Sequence, residues 1–222
     1  LSQKVMIATP VNEPKLVIGY VQSLLSSQIA LRQAGIRSEI LFETQCSLVV
    51  MGRNNLVTDF LASNATDLVF IDSDIGWKPE SLVRLLQHDV SLVAGIYRKK
   101  APETIYTVEF DDPRNIAADP KTGLLKAKGV SAGFLRIRRD CIEAMIKAYP
   151  ELKITERKQE QYALFDTMIE NGKMVGEDYT FCRRWAAIGG TIWVDPTIDL
   201  DHYGMSAYTG SLTSSLQKKQ AD

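Results

Sequence analysis

Leu68-Val69-Phe70-Ile71-Asp72-Ser73-Asp74 sets four apolar residues directly before two carboxylates at positions i and i+2. A continuous apolar run of this length predicts a strand covered on both faces, as at the centre of a parallel sheet. In extended backbone, residues i and i+2 point to the same side. Two carboxylates so placed can approach one hard cation such as Mg2+ or Mn2+, which prefers oxygen ligands. The strand leaves them at its carboxyl end, the edge where open α/β sheets bind ligands. A bare Asp-x-Asp is more often a solvated acidic turn. The apolar strand before it favours the metal.

Upstream, strand and helix signals alternate. Val5 to Thr9 is an apolar run closed by Pro10, Pro14 suits a helix start, and Gly35 stops a helix bearing Leu16, Val17, Tyr20, Val21, Leu24, Gln28 and Leu31. Ser38 to Thr44 reads as the second strand. Leu56, Val57, Phe60 and Leu61 share a helical face that starts after Arg53-Asn54-Asn55. Downstream, Pro79 opens a helix with Leu82, Leu85 and Leu86 inward, and Leu92 to Tyr97 is a fourth strand. This β-α-β-α-β-α-β order predicts an α/β fold with a mostly parallel, Rossmann-like sheet.

The second half reads differently. Ile105 to Phe110 and Leu124 to Ile137 look like longer strands around the turn-rich stretch Asp111 to Gly123, so antiparallel pairing is added to the sheet. Asp140 and Glu143 have capping-box spacing. Pro150 to Gln161 reads as a charged, mobile loop and Asn171-Gly172 as a hairpin turn. Tyr179, Cys182, Trp185 and Ala186 line a helix ended by Gly189-Gly190. Ser206 to Asp222 is a polar tail without pattern.

The whole chain sets outer bounds. Its 222 residues fit one domain, and a net charge of −1 gives no reason to expect nucleic acid. Cys46, Cys141 and Cys182 are odd in number and far apart, which points to a reducing compartment. No apolar run is long enough to span a bilayer. The expected place is the cytoplasm or the cytosolic face of a membrane, with an anchor upstream of Leu1 left open.

Other motifs offer chemistry. His202 in Asp201-His202-Tyr203-Gly204 offers a third metal ligand, although a lone histidine is more often structural. His88, at a helix end, suits the dipole there. Glu177-Asp178 either complement a helix N-terminus or include a base that takes a proton from a hydroxyl. Gly129-Val130-Ser131-Ala132-Gly133 matches a nucleophile elbow, with Asp178 or Asp195 and then His202 in hydrolase order. The elbow requires a helix after the serine, but Phe134 to Arg138 alternates like a strand. No P-loop and no Gly-x-Gly-x-x-Gly follows the first strand.

Taken in order, Thr9-Pro10, Arg53-Asn54-Asn55, Asp72-Ser73-Asp74, Gly133-Phe134, Gly176-Glu177-Asp178 and His202 resemble the GT-A glycosyltransferases, especially inverting family-2-like and Anp1-like members. The resemblance runs from Val5 to about Gly204. It implies a single GT-A type domain over residues 1–205, with a nucleotide-sugar half (1–100), an acceptor-side half (101–205) and a tail (206–222). It implies that Thr9, Pro10, Glu43, Arg53, Asp72 and Ser73 bind the nucleotide, and that Asp72, Asp74 and His202 hold Mn2+ or Mg2+. Trp77, Gly133 and Phe134 would lie near the sugars, and Asp178, with Glu177 beside it, takes the position of the base. The implied partners are a nucleotide-sugar donor, UDP-linked in preference to GDP-linked, and a carbohydrate or glycolipid acceptor, as in polysaccharide biosynthesis. A serine hydrolase built on Ser131 and a non-catalytic nucleotide-sugar binder are the competing readings.

Overall fold

The computed structural model describes residues 3–217 except 14, 45, 157, 205, 206, 212 and 214. Strand β1 (Lys4–Val11), helix α1 (Ile18–Gln33), β2 (Arg37–Thr44), α2 (Val49–Ala62) and β3 (Asp67–Ile71) open the chain. β4 (Ile75–Trp77), α3 (Pro79–Gln87), β5 (Leu92–Ala94), β6 (Val108–Glu109), β7 (Leu125–Ala127), β8 (Gly129–Val130) and β9 (Phe134–Arg138) follow. The rest comprises α4 (Arg139–Ala148), β10 (Lys153–Glu156), β11 (Gln159–Tyr162), β12 (Met168–Glu170), β13 (Lys173–Val175), α5 (Glu177–Ala187), β14 (Ile192–Val194), β15 (Leu200–Tyr203) and β16 (Ala207–Tyr208).

Seven strands form the main sheet in the order β2-β1-β3-β9-β5-β14-β7. β1 runs parallel to β2 and β3, and β14 parallel to β5. β9 is antiparallel to both β3 and β5, and β7 is antiparallel to β14. This is the expected α/β class: a mainly parallel sheet with antiparallel strands from the second half.

Side-chain alternation explains why β3 reads as an unbroken apolar run. Leu68 and Phe70 join the core on one face, with Leu56, Val57 and Phe60 of α2, Ile142 and Met145 of α4, and Phe181 of α5. Val69 and Ile71 join the other, with Tyr20, Leu24 and Leu31 of α1 and Leu82, Leu85 and Leu86 of α3. A strand covered on both sides leaves no place for an unpaired polar residue, and Asp67 at its start is buried against Arg136 of β9 at 2.7 Å.

Several local expectations change. Pro10 does not end β1, which runs on to Val11. Past Ala8 the strand pairs only with β2, so a residue lacking an N–H is tolerated there. Pro14 lies outside the described residues, and α1 begins at Ile18. Arg53-Asn54-Asn55 sits inside α2, which starts at Val49. The expected fourth strand stops at Ala94. The two long strands of the second half are broken into β6 to β9, and Pro150 to Gln161 contains the hairpin β10–β11. Asp140 caps no helix from the N-cap position: Arg138 holds that place, and Asp140 Oδ1 accepts the Cys141 N–H at 2.8 Å.

Near the C-terminus, Thr180, Phe181 and Cys182 face the core, while Ala186 is exposed. Part of the expected tail is structured, with Ala207–Tyr208 pairing with β15. Residues 205, 206, 212, 214 and 218–222 lie outside the described part. Asn171-Gly172 does form a hairpin turn between β12 and β13, both residues at positive φ (51° and 72°). No helix among the described residues is long and apolar enough to cross a membrane.

Candidate active site

The motif at the end of β3 is a turn, not extended backbone. The Asp72 carbonyl accepts the Ile75 N–H at 3.0 Å, and the Asp72 N–H donates to the Gly133 carbonyl at 3.0 Å. The two carboxylates therefore diverge instead of sharing one side. Asp72 Oδ1 takes Arg53 Nη2 at 2.9 Å, whereas Asp74 Oδ2 takes Lys100 Nζ and faces His202 Nε2 at 3.6 Å. Gly133 makes this approach possible: a Cβ there would overlap the Tyr97 hydroxyl and stand 2.8 Å from Asp72 Oδ2.

His202 reaches Asp74 through strand register. β15 pairs antiparallel with β4 so that His202 lies opposite Ile75, and the Tyr203 N–H donates to the Asp74 carbonyl at 2.8 Å. His202 Nδ1 lies 2.9 Å from the Arg98 carbonyl. A carbonyl only accepts, so Nδ1 donates a proton there and Nε2 is the nitrogen left facing Asp74. Fixing the far nitrogen on a carbonyl is also how metal-ligating histidines are oriented.

Asp74 and His202 therefore fit a divalent cation, with one oxygen and one imidazole donor of suitable chemistry. Asp72 gives one carboxylate oxygen, Oδ1, to Arg53. Among the described residues no three His, Cys, Asp or Glu side chains gather closely enough to hold a metal by themselves. Burial works against the Asp74 charge, but bonds from His202 and Lys100 outweigh it and hold its pKa below the ordinary value.

Helix α2 organises the opposite wall. Arg53 is 3% exposed and bridges Asp72 to Glu177, whose Oε1 accepts its Nε–H at 3.1 Å. Its guanidinium also lies 5.1 Å over the Phe70 ring, and Nη1 has no hydrogen-bond partner among the described residues. Burial opposes the Arg53 charge, yet Asp72 and Glu177 raise its pKa further. Asn54 clamps the Phe165 backbone, donating to its carbonyl at 2.7 Å and accepting its N–H at 3.0 Å. Asn55 donates to Glu43 Oε1 at 2.9 Å and accepts from Gln161 at 3.1 Å. Three consecutive residues thus tie α2 to the turn after β3, to α5, to the chain after β11 and to β2.

Asp178 stands at the start of α5 beside Glu177. Burial, helped by the Glu177 charge and opposed by Arg53, pushes its carboxyl up to about 6. An acid poised there can accept a proton near neutral pH.

The other expected site residues lie deeper. Thr9 is fully buried, its hydroxyl bonded to Tyr20 at 2.6 Å. Trp77 packs on Tyr20 and Phe134 and donates Nε1–H to Ser27, and Phe134 is fully buried, so both are core residues. Pro10 and Ser73 are half-buried, Ser73 in the turn itself. Lys100 was not foreseen. The signal was present as Arg98-Lys99-Lys100, a basic run leaving the carboxyl edge of the sheet.

The hydrolase arrangement is not assembled. Ser131 follows β8 and precedes a turn into β9, with no helix after it. Asp195 is taken by His88 Nε2 at 2.7 Å and Arg84 Nε at 2.6 Å, so His88 serves a carboxylate as well as a helix end. Ser131 Oγ instead meets the Tyr97 hydroxyl at 2.5 Å. Ser131→Ala is expected to cost about 1 kcal/mol of stability, by stranding that hydroxyl, and a fluorophosphonate probe is expected to leave wild-type Ser131 unlabelled. Labelling would restore the hydrolase reading.

No protein-family profile and no curated protein matches the chain in sequence. Among solved structures, A197 from STIV superposes with a TM-score of 0.54 at 16% identity, covering 91% of this chain and 86% of that one. A glycosyltransferase involved in glycosylation of the major capsid of PBCV-1 gives 0.36 at 10% identity, over 65% of each chain. GalNAc-T7, solved with UDP, GalNAc and Mn2+, gives 0.44 at 11% identity, over 91% of this chain and 44% of that one. The likeness to A197 is a likeness of fold, and it agrees with the mixed α/β architecture described above, a mainly parallel central sheet with added antiparallel strands.

Proposed function

We propose that this protein transfers a sugar from a nucleoside-diphosphate sugar, UDP-linked in preference to GDP-linked, to a hydroxyl of a carbohydrate or glycolipid, with inversion at the anomeric carbon. The observation that carries the reading is one site at the carboxyl end of β3. There Asp74 and His202 face each other across a gap suited to a cation, while the Asp72–Arg53–Glu177 bridge leads to an acid of raised pKa, Asp178.

The roles follow from charge. Asp74 and His202 would hold Mn2+ or Mg2+, which would supply the positive charge that stabilises a departing diphosphate. Asp178 accepts the proton of the attacking hydroxyl. Arg53 fixes Asp72 and Glu177, and thereby sets where the N-terminus of α5 presents Asp178. Asp72 and Ser73 line the turn against which the nucleotide rests, near Pro10 and Glu43 at the β1–β2 edge.

Asp74→Ala tests the reading. Its side chain is about one-third exposed and fills no core position, so the fold is expected to survive. Mn2+-dependent UDP binding is expected to vanish, and transfer to fall by roughly two to three orders of magnitude. Calorimetric titration of UDP with and without Mn2+ is the check. An unchanged metal-dependent affinity would falsify the assignment of Asp74.

A further inference from the structure

Two groups converge on one oxygen, Asp74 Oδ2. His202 faces it with Nε2 at 3.6 Å, and Lys100 places its ammonium directly on it. Lys100 therefore occupies the carboxylate oxygen that a cation shared by Asp74 and His202 would need. The segment carrying it is held independently of that ammonium. Arg98 pairs with Tyr106 in an isolated bridge, Arg98 Nη2 donates to the Ala101 and Pro102 carbonyls at 3.2 and 2.8 Å, and the Lys99 N–H donates to the Ile105 carbonyl at 2.8 Å. The Arg98 carbonyl in turn fixes His202. The loop and the histidine thus stay in place whether or not Lys100 sits on Asp74. The lysine side chain is one-third exposed, and its flexible stem lets the ammonium leave alone.

We infer that Lys100 is a tethered counter-ion that holds the cation position on Asp74 in the free protein, so that a divalent cation enters together with a nucleoside diphosphate, whose phosphates then take the displaced ammonium. This rests on the function proposed above. It gives Lys100 two successive partners of the same charge, first the Asp74 carboxylate and then the diphosphate. A metal ion alone must compete with a positive charge only a few ångströms away. A metal ion arriving with phosphates gives that charge somewhere to go. Metal and nucleotide binding are thereby coupled through one side chain.

The experiment measures Mn2+ affinity, by electron paramagnetic resonance of the free ion, for wild type, Lys100→Ala and Lys99→Ala, each with and without saturating UDP. Lys99 is exposed and carries the same charge one residue away, so it controls for net charge. Lys100→Ala is expected to bind Mn2+ alone on the order of tenfold more tightly than wild type, the scale of removing one positive charge near a dication. UDP is expected to improve its Mn2+ affinity much less than it does for wild type. Lys99→Ala is expected to behave as wild type.

If Lys100→Ala binds Mn2+ alone no more tightly than wild type, while wild type still couples Mn2+ to UDP, the inference is overturned and the proposed function stands. Equal tightening of Mn2+ by Lys99→Ala overturns it too, because the effect is then one of net charge. If UDP and Mn2+ are uncoupled in every protein including wild type, the metal-dependent reading itself fails and takes this inference with it.

Discussion

Asp178→Asn is expected to bind Mn2+ and UDP as wild type does and to transfer sugar about 10²- to 10⁴-fold more slowly. Asn keeps the size of the side chain and can still accept the Tyr179 N–H, which Asp178 Oδ1 accepts at 2.8 Å. It lacks the basic oxygen. Single-turnover transfer separates this loss from binding. The pH dependence supplies a second readout: with Asp178 pushed up to about 6 by burial and by Glu177, wild-type transfer is expected to fall as pH drops through 6.

Stability moves the other way. A carboxyl whose folded pKa is raised binds its proton more tightly in the folded state, so the fold loses stability as pH rises from its ordinary value through about 6. Asp178→Asn removes that loss. The variant is expected to melt above wild type at pH 8 and to show no such gain at pH 4. Glu177→Gln is the comparison, since Glu177 is bonded to Arg53 at 3.1 Å. A dead Glu177→Gln beside an active Asp178→Asn would transfer the role of base to Glu177. Product configuration, read by NMR, completes the test, because retention would leave Asp178 a positioning role only.

Arg53→Met should produce the largest loss of stability among these variants, about 3 kcal/mol, the low end of the cost of breaking a buried ion pair. The low end applies because Asp72 is 30% exposed and water can reach it once Arg53 is gone. Glu177 is more deeply placed, at 15%, and is left without its cation. Thermal melting is expected to drop by roughly 10 °C. Arg53 also lowers the Asp178 pKa, so the acid limb of any residual transfer should move to higher pH. A double variant with Glu177→Gln should recover part of the stability, because one stranded carboxylate is then neutral. A drop under about 1 kcal/mol with an unmoved acid limb would show that the bridge is incidental.

The sheet was legible where local pattern and burial agree. Leu68 to Ile71 could only be an inner strand, and Gly35, Pro79, Asn171-Gly172 and Gly189 marked ends that the backbone uses. Long-range pairing was not legible: nothing local in Phe134 to Arg138 tells that this strand enters between β3 and β5 and runs against both. In the site, the sequence named Asp72, Asp74, Asp178 and His202, and its reading of orientation changes only for the first pair. The period-two argument for two carboxylates on one side fails because the backbone turns at Asp72, one residue past the strand. Arg53-Asn54-Asn55 looked like a helix start and is instead a clamp inside α2, because its partners lie on several segments far away in sequence. Trp77 and Phe134 are aromatic residues near a motif, a position that does not distinguish a sugar platform from a core. Lys100 was missed because a basic run after a strand is usually solvated.

The insertion of β9 bears on synthesis at the ribosome. Ile71 waits 63 residues for its partner Phe134. At about 5–20 residues per second that is roughly 3–12 s during which β3 shows an unpaired apolar border, joined by β5 for the later part of it. A nascent chain in that interval already holds β1 to β3, with α1 and α2 available to cover them, yet its most hydrophobic strand is open along one side, the geometry that recruits foreign strands. For the same reason the chain cannot be cut near residue 100 into two self-standing pieces. The first piece would end in exposed sheet borders and the second would carry β9 and β14, the strands that close them, so any split version would have to be made together and meet before either piece aggregates.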